Sequence, residues 1–284
     1  MNDREKAKYA LKKFFGYDSF RTGQLNIIMN ILSKRDVFCI MPTGAGKSIC
    51  YQIPAVIMDG ITIVVSPLIS LMKDQVDALQ DIGINAAFIN STQSMDKIKE
   101  ILRDASLGLY KILYIAPERL ESKMFVEMIK GLKVSQIAVD EAHCVSEWGH
   151  DFRMSYRYIK PFVESLSIRP VLSAFTGTAT DEVKDDSINL LGLHNPYRFL
   201  GDINRDNLAI NVFKEEDKLE GIKDIIQNHK DESGIVYCLS RKEAESLYYY
   251  LKDIGYSVGI YHGGLDDEKK KQNQEDFLYE KFDT

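Results

Sequence analysis

The stretch Val37-Phe-Cys-Ile-Met-Pro-Thr-Gly-Ala-Gly-Lys-Ser48 decides the fold, because it joins three patterns in one short segment. Its first five residues are apolar and predict a buried strand, Val37–Met41. A glycine-rich turn follows, and Lys47 opens an amphipathic segment that predicts a helix as far as Met58. A strand, a glycine-rich loop and a helix in this order are typical of an α/β fold with a parallel sheet.

The same loop has the pattern of a phosphate-binding loop. Gly44 and Gly46 permit backbone conformations that turn N–H groups inward, and the start of the helix favours an anion. We expect Lys47 to reach the β- and γ-phosphates of ATP, and the Ser48 hydroxyl to ligate Mg²⁺. Met41 departs from the general pattern, which has glycine there, and a glycine-rich turn without a ligand is the alternative. The predicted ATP-binding residues of the loop are Thr43, Gly44, Ala45, Gly46, Lys47 and Ser48.

Short apolar runs alternate with longer amphipathic segments along the chain, which predicts βαβ units and a parallel sheet. The further strands predicted for this first part are Ile61–Ser66, Asn85–Ile89, Ile112–Ile115, Ile137–Val139 and Val171–Phe175. The helices predicted for it are Lys47–Met58, Leu68–Ile82, Met95–Ala105, Glu118–Lys130, Tyr156–Ser165 and Asp181–Leu191.

A second, shorter series of the same kind follows a breaker-rich segment, Gly201–Asn207, which we interpret as a linker. Its predicted strands are Ala209–Phe213, Gly234–Cys238 and Ser257–Tyr261. Its predicted helices are Lys218–His229, Lys242–Asp253 and Asp266–Leu278. The sequence therefore predicts a first α/β domain over residues 1–204 and a partial second one over residues 205–284.

Composition and charge indicate which classes of protein are compatible with the sequence. The 284 residues are 45 % hydrophobic and 27 % charged, as in ordinary globular proteins, and the sequence shows neither a signal peptide nor an apolar run of membrane-spanning length. We expect a cytoplasmic protein. None of the four cysteines forms a C-x-x-C pair, which argues against zinc and against a disulfide framework. The net charge of −6 argues mildly against a nucleic-acid partner, but a motor needs only a local basic groove.

An acidic motif, Ile137-Ala-Val-Asp-Glu-Ala-His143, complements the phosphate loop. Asp140 ends a predicted strand and is placed to hold Mg²⁺, while Glu141 is placed to orient and deprotonate the attacking water. His143 is placed to connect the site to a neighbouring element. A solvated strand end is the alternative for this motif alone. Together with Lys47, these three residues form the catalytic set of a predicted nucleoside triphosphate hydrolase.

The order of these two motifs resembles superfamily 2 helicases, and the next segment narrows the resemblance. Cys144-Val-Ser-Glu-Trp-Gly-His-Asp-Phe-Arg153 is similar to the aromatic-rich loop of RecQ helicases, which senses single-stranded DNA and relays it to the ATPase site. Trp148 and Phe152 offer faces on which bases can stack, and His150 and Arg153 can meet the backbone or base edges. Burial of the two aromatic rings in the core is the alternative.

The N-terminal segment Leu11–Gln24 resembles the adenine-recognition motif of the same family. The resemblance implies that Gln24 bonds the adenine edge and that Tyr17 and Arg21 flank the ring. An amide can donate one hydrogen bond and accept another, which suits an adenine edge. A plain amphipathic helix with a solvated Gln24 is the alternative.

Further segments match the family in order: Val65–Gln75, Tyr114–Leu120, Ser173–Thr180, Val236–Arg241 and Tyr261–Leu265. The residues that the resemblance assigns to DNA contact or to coupling are Ser66, Thr176, Thr178, Ser240, Arg241 and His262. Gly177 and Gly263 stand where the family more often has alanine.

The resemblance implies two RecA-like domains and a 3′–5′ ATP-dependent DNA helicase of repair or recombination, with ATP and Mg²⁺ as cofactors, DNA as partner and a monomeric state. It also implies a longer second domain whose arginine finger is not within these residues. We therefore expect the N-terminal motor part of a helicase. A module that binds ATP and DNA without effective turnover is the first alternative, and an RNA helicase is the second.

Overall fold

The computed structural model describes residues 1–90, 92–149, 151–201, 208–214, 218–230 and 232–279. The chain divides into two compact units, Met1–Asp206 and Asn207–Thr284. No helix among the described residues is both long enough and apolar enough to span a membrane.

The first unit is built on a seven-stranded parallel sheet with the strand order β3-β4-β2-β5-β6-β1-β7. Its strands are β1 Val37–Ile40, β2 Ile61–Val65, β3 Ala86–Ile89, β4 Ile112–Ile115, β5 Val134–Val139, β6 Val171–Thr176 and β7 Tyr197–Leu200. All strands predicted for this unit are confirmed, and β5 begins earlier than expected. The edge strand β7 was not predicted, because its residues are only half-buried or exposed and lack a continuous apolar run.

Helices cover both faces of this sheet. They are α1 Asp3–Phe15, α2 Gln24–Leu32, α3 Lys47–Ile57, α4 Ile69–Asp81, α5 Met95–Ser106, α6 Lys123–Ile129, α7 Ile159–Ser165 and α8 Asp181–Leu191. The single helix predicted over Glu118–Lys130 is wrong, because a short 3-10 helix ends at Glu121 and the Ser122 hydroxyl caps a new helix, α6. The helix predicted over Tyr156–Ser165 likewise begins as a 3-10 helix, Met154–Tyr158, and continues as α7.

Two apolar layers hold the sheet between these helices. Alternate strand residues such as Ile63 and Ile137 pack with α5, α6 and α7, while Val64 and Ala138 pack with α2, α3 and α4 on the other face. Because all strands are parallel, their carboxyl ends share one edge, where loops are free to carry polar side chains. The loops that follow β1, β2, β5 and β6 at this edge contain most of the predicted site.

The second unit contains the helices α9 Lys218–Asn228, α10 Arg241–Asp253 and α11 Asp267–Leu278, as predicted. Its three strand predictions are wrong, because the described residues of this unit contain no strand. A strand exists only when a neighbour completes its hydrogen-bond ladder, and these segments have none among the described residues. Their side chains stay open to solvent: Val212 is 88 % exposed and Tyr237 is 92 % exposed.

Candidate active site

The carboxyl edge of the sheet brings the two main motifs together. The Met41 N–H donates to the Thr176 carbonyl at 3.0 Å, and the Asp140 N–H donates to the Val65 carbonyl at 2.9 Å. These bonds continue the ladders of β1 with β6 and of β5 with β2. The phosphate loop, the acidic motif and Thr176 are thus anchored to adjoining strands of one rigid sheet.

The phosphate loop has the backbone that an anion site requires. Gly44 and Gly46 have φ angles of 79° and 84°, a region that other residues rarely adopt. The helix α3 begins at Lys47, so its first N–H groups face the loop. The Lys47 ammonium donates to the Met41 carbonyl at 3.2 Å, which keeps the positive charge at the loop. The residues present therefore fit a nucleotide phosphate.

Met41, which replaces the usual glycine, has a structural role. Its side chain is 3 % exposed and packs in the apolar layer beneath the loop. Its carbonyl accepts the hydrogen bond from Lys47. The departure from the general pattern therefore leaves the phosphate loop intact.

Gln24 and Arg21 bind the phosphate loop itself. Nε2 of Gln24 donates to the carbonyls of Ala45 at 3.3 Å and Gly46 at 3.1 Å. Its Oε1 accepts from the Arg21 N–H at 2.8 Å, and the Arg21 guanidinium donates to the Gly44 carbonyl at 2.5 Å. A Cβ at Gly46 would overlap Nε2 of Gln24. The predicted adenine contact of Gln24 requires an exchange of these bonds.

Tyr17, the third residue of the predicted adenine set, lies in the segment between α1 and α2. The residue is 54 % exposed. Gln24, by contrast, is 2 % exposed. Of the predicted adenine residues, Tyr17 is therefore exposed, whereas Gln24 is buried and bonded to the phosphate loop.

Asp140 is a partly buried carboxyl directly after β5. Burial and, to a smaller extent, the nearby Glu141 carboxylate raise its pKa to about 6, although the Glu141 N–H and Lys47 oppose the shift. The Asp140 Oδ1 accepts from that N–H at 3.1 Å. A divalent cation would replace the hydration that burial removes, so the side chain fits a Mg²⁺ ligand.

Glu141 stands in an unusual backbone conformation for a residue with a side chain, with φ 46° and ψ 50°. Left-handed residues other than glycine are strained and concentrate at functional sites. The Tyr156 hydroxyl donates to the Asp140 carbonyl at 2.9 Å and so fixes the preceding peptide. The turn and this bond therefore hold the backbone between the two adjacent carboxylates.

His143 joins the acidic motif to β6. Its Nδ1 lies 2.8 Å from the Thr176 hydroxyl and 3.4 Å from Oε2 of Glu141. The Thr176 hydroxyl donates to the Thr178 carbonyl at 3.0 Å, so Nδ1 must supply the hydrogen between His143 and Thr176. The imidazole thus links Glu141 to the segment after β6, where Thr178 is exposed and Gly177 lies near Lys47.

The aromatic-rich loop exposes its central ring. Trp148 is 80 % exposed, so the alternative of burial in the core is excluded for it, while Phe152 is half-buried. The Arg153 N–H donates to the Cys144 carbonyl at 2.8 Å, and its guanidinium donates to the Pro67 carbonyl at 3.0 Å. Arg153 therefore ties this loop to the loop after β2. His150 lies outside the described residues.

Ser66 does not fit the predicted contact with DNA. Its side chain is 2 % exposed, and its hydroxyl has no hydrogen-bond partner in the described structure.

In the second unit, the predicted contact residues surround one pair of loops. The Ser240 hydroxyl caps α10 by accepting from the Glu243 N–H at 3.2 Å. The Arg241 guanidinium lies against Gly263, where a Cβ would meet Nη2 at 3.4 Å. His262 accepts from the Gly264 N–H at 3.1 Å. Arg241 and His262 are therefore neighbours, whereas Ser240 is engaged in its own helix.

With this geometry established, comparison with known proteins identifies the family. The family model for the DEAD/DEAH box helicase matches residues 21–186, which is more than half of the chain. The chain belongs to the DEAD/DEAH box helicases.

Relatives of this helicase chain are similar along almost its whole length. It is 50 % identical to the ATP-dependent DNA helicase RecQ of Bacillus subtilis (strain 168), over 96 % of this chain and 46 % of that protein. It is 39 % identical to the ATP-dependent DNA helicase RecQ of Haemophilus influenzae, over 97 % of this chain and 44 % of that protein. The chain thus spans less than half the length of these relatives.

Solved helicase structures share the fold. The DUF1998 helicase MrfA bound to DNA superposes with a TM-score of 0.74 at 18 % identity, covering 97 % of this chain and 43 % of that one. Dbp5 of S. cerevisiae bound to RNA and ADP BeF3 superposes with a TM-score of 0.70 at 18 % identity, covering 100 % of this chain and 72 % of that one. At this identity the likeness supports the α/β fold alone.

The sequence does not predict a buried polar network that lies beside the phosphate loop. The Tyr51 hydroxyl interacts with the hydroxyls of Ser48 and Tyr114. Nε2 of Gln52 donates to the Tyr114 hydroxyl at 3.2 Å and to Oε1 of Gln75 on α4 at 3.1 Å. Burial raises the pKa of Tyr114 to about 12, so its hydroxyl stays protonated. The spacing of Tyr51 and Gln52 in a helix gives no signal of these partners.

Proposed function

We propose that the chain is the N-terminal motor part of a RecQ-type DNA helicase that uses ATP to translocate 3′ to 5′ along DNA. The main support for the proposal is that several parts of the site lie at one edge of the sheet. There, the loop that exposes Trp148 adjoins the phosphate loop, Asp140–Glu141 and the hydrogen bond between His143 and Thr176. The two RecQ relatives, both named as ATP-dependent DNA helicases, support it. We also propose a first domain over residues 1–204, a partial second domain over 205–284, and a monomer that acts in the cytoplasm in DNA repair or recombination.

In this proposal the phosphate loop binds ATP. Its backbone N–H groups and Lys47 hold the phosphates, while Ser48 and Asp140 hold Mg²⁺. Mg²⁺ held by these residues would neutralise charge on the phosphates and so favour attack at the terminal phosphorus. The adenine ring of ATP is bound by Tyr17, Arg21 and Gln24.

Glu141 acts as the base. Its carboxylate orients the attacking water and accepts its proton, and His143 Nδ1 lies 3.4 Å from its Oε2. The hydrogen bond from His143 to Thr176 transmits a change at Glu141 to the segment that contains Thr178. Those threonines are the proposed connection between hydrolysis and DNA.

In this proposal, DNA is the polymer that the threonines connect to ATP hydrolysis. Bases stack on Trp148 and Phe152, and Arg153 and His150 meet the strand. Arg241 and His262 contact its backbone in the second unit. Stacking does not need base identity, which suits a motor that passes along any sequence.

ATP hydrolysis by the 284-residue chain tests the proposal, with single-stranded DNA, single-stranded RNA or no nucleic acid added. Stimulation by DNA and not by RNA supports the DNA motor. Binding of ATP and DNA without turnover supports the alternative, a binding module that lacks an arginine finger. Equal or stronger stimulation by RNA contradicts the assignment to DNA.

A further inference from the structure

We propose that Arg157 is a positioning residue that holds the aromatic-rich loop in the arrangement that meets DNA. This inference rests on the proposed function, because it concerns how the loop around Trp148 responds to a single strand. Arg157 lies in the short 3-10 helix Met154–Tyr158, directly after that loop, and no motif pattern in the sequence identifies it.

Three contacts connect Arg157 to the loop on both sides of Trp148. Its Nε donates to the Val145 carbonyl at 3.0 Å, and its Nη2 pairs with Oε1 of Glu147 at 3.1 Å. Its guanidinium carbon lies 5.7 Å from the centre of the Phe152 ring. One planar side chain therefore braces the residues before and after Trp148.

The geometry of these contacts requires an arginine. A guanidinium can donate along two edges while its face lies over a ring, which the single ammonium of lysine cannot do. Two thirds of the side chain is buried, with 33 % of it exposed, so the bond to Val145 is shielded from water more than a surface pair is. These contacts of Arg157 with Val145, Glu147 and Phe152, which we call the brace, are thus more than an exposed ion pair with Glu147.

The same short helix also reaches the ATPase site. The Tyr156 hydroxyl, one residue before Arg157, donates to the Asp140 carbonyl at 2.9 Å. The loop contains no regular helix or strand from Ser146 to Gly149, and Trp148 stays largely exposed. An unbraced loop would have to become ordered when it binds DNA, and that entropy cost would weaken binding.

Trp148 is the only tryptophan of the chain, so it reports on this loop without a label. We suggest titrating the full chain, saturated with a non-hydrolysable ATP analogue and Mg²⁺, with a single-stranded oligodeoxynucleotide. Fluorescence intensity gives the half-saturating DNA concentration, and the anisotropy of the DNA-free protein gives the local freedom of the ring. The variants are Arg157→Gln, Arg157→Lys and Glu147→Gln, with Arg103→Gln as a control at a 70 % exposed arginine on α5.

We expect Arg157→Gln to lower the DNA-free anisotropy and to raise the half-saturating DNA concentration about fivefold, the size of the net contribution of one ordinary hydrogen bond. Arg157→Lys should lie between it and the wild type. The affinity for the ATP analogue should stay unchanged, and the melting temperature should fall by only a few degrees. Glu147→Gln should weaken DNA binding about twofold, and Arg103→Gln should change nothing.

Two results would overturn the inference. If Arg157→Gln leaves both the anisotropy and the DNA response at wild-type values, Arg157 does not position the loop. If Arg157→Lys binds DNA as tightly as the wild type while Arg157→Gln does not, Arg157 acts through its charge alone and is not a brace. A wild-type chain whose Trp148 signal ignores DNA contradicts the proposed function itself, which separates that failure from the failure of the brace.

Discussion

Ile63 and Ile210 both lie in apolar segments that predict strands, yet Ile63 is fully buried and Ile210 is 90 % exposed. Ile63 belongs to β2, which pairs with β4 and β5 in the first unit. The segment of Ile210 pairs with no strand among the described residues of the second unit. An apolar run therefore becomes a strand only where neighbours complete its ladder and helices cover its faces.

The difference extends to the predicted site residues. In the first unit they are fixed by ladders and by buried hydrogen bonds, such as His143 to Thr176. In the second unit, Arg241 begins α10 and His262 lies in a loop, and the nearby apolar side chain of Leu239 is 97 % exposed. We infer that the first unit carries the chemistry of nucleotide binding by itself, and the following changes test this.

The largest effect is expected at Lys47. Lys47→Ala removes the positive charge that faces the phosphates, and we expect nucleotide affinity to fall by about a hundredfold or more. Arg241→Ala, the matched loss of a cation in the second unit, should leave that affinity unchanged. Titration with a fluorescent ATP analogue measures both, and undiminished affinity in Lys47→Ala would refute the phosphate-loop assignment.

Substitution of Ile63 and of Ile210 compares the packing of the two units directly. Ile63→Ala leaves a cavity in a packed layer and should reduce the free energy of unfolding by roughly 2–5 kcal/mol. Ile210→Ala removes an exposed side chain and should change it by less than about 0.5 kcal/mol. Urea unfolding followed by circular dichroism measures the difference. Equal losses would mean that the segment of Ile210 is buried in solution.

A smaller effect is expected at Trp148. Trp148→Ala should raise the half-saturating concentration of single-stranded DNA about tenfold, because stacking of one base on an aromatic ring contributes about 1–3 kcal/mol. Nucleotide affinity should not change. Tyr237→Ala, at a ring that is 92 % exposed in the second unit, is the matched control. Anisotropy of a labelled oligonucleotide measures both variants, and an unaffected Trp148→Ala would remove this ring from the DNA site.

The smallest effect concerns pH. Burial and the nearby Glu141 carboxylate together raise the pKa of Asp140 to about 6, so the carboxyl is mostly charged above that pH and mostly protonated below it. Because Mg²⁺ binds the charged form, the Mg²⁺ dependence of nucleotide binding should weaken as pH falls through about 6. We expect a fewfold loss between pH 7 and pH 5.5 that is absent in Asp140→Asn. Calorimetric titration of Mg²⁺ at saturating nucleotide measures it, and a flat profile would contradict the role of Asp140.

The parts of the fold that the sequence predicts are those with local causes. Continuous apolar runs predict β1 to β6, and Gly44, Gly46 and Lys47 predict the phosphate loop, because these patterns depend on a few adjacent residues. The edge strand β7 and the break at Ser122 are not predicted, since neither changes the apolar pattern enough to be seen.

The remaining features depend on residues that are distant in sequence. The bonds of Gln24 to the phosphate loop span more than twenty positions, and the bond of Arg153 to Pro67 joins two loops of different strands. The burial of Ser66 follows from packing at the sheet edge. No local pattern records these partners, because the fold brings them together only after the sheet has formed.

The central claim is that one sheet edge couples a nucleotide site to a DNA site. Reciprocal binding tests it most directly: the dissociation constant of a non-hydrolysable ATP analogue with and without single-stranded DNA, and that of the DNA with and without the analogue. We expect each ligand to change the affinity of the other by the same factor, about fivefold or more, since coupling between two sites is reciprocal. Affinities that do not respond to the other ligand, in a chain that binds both, would contradict the claim.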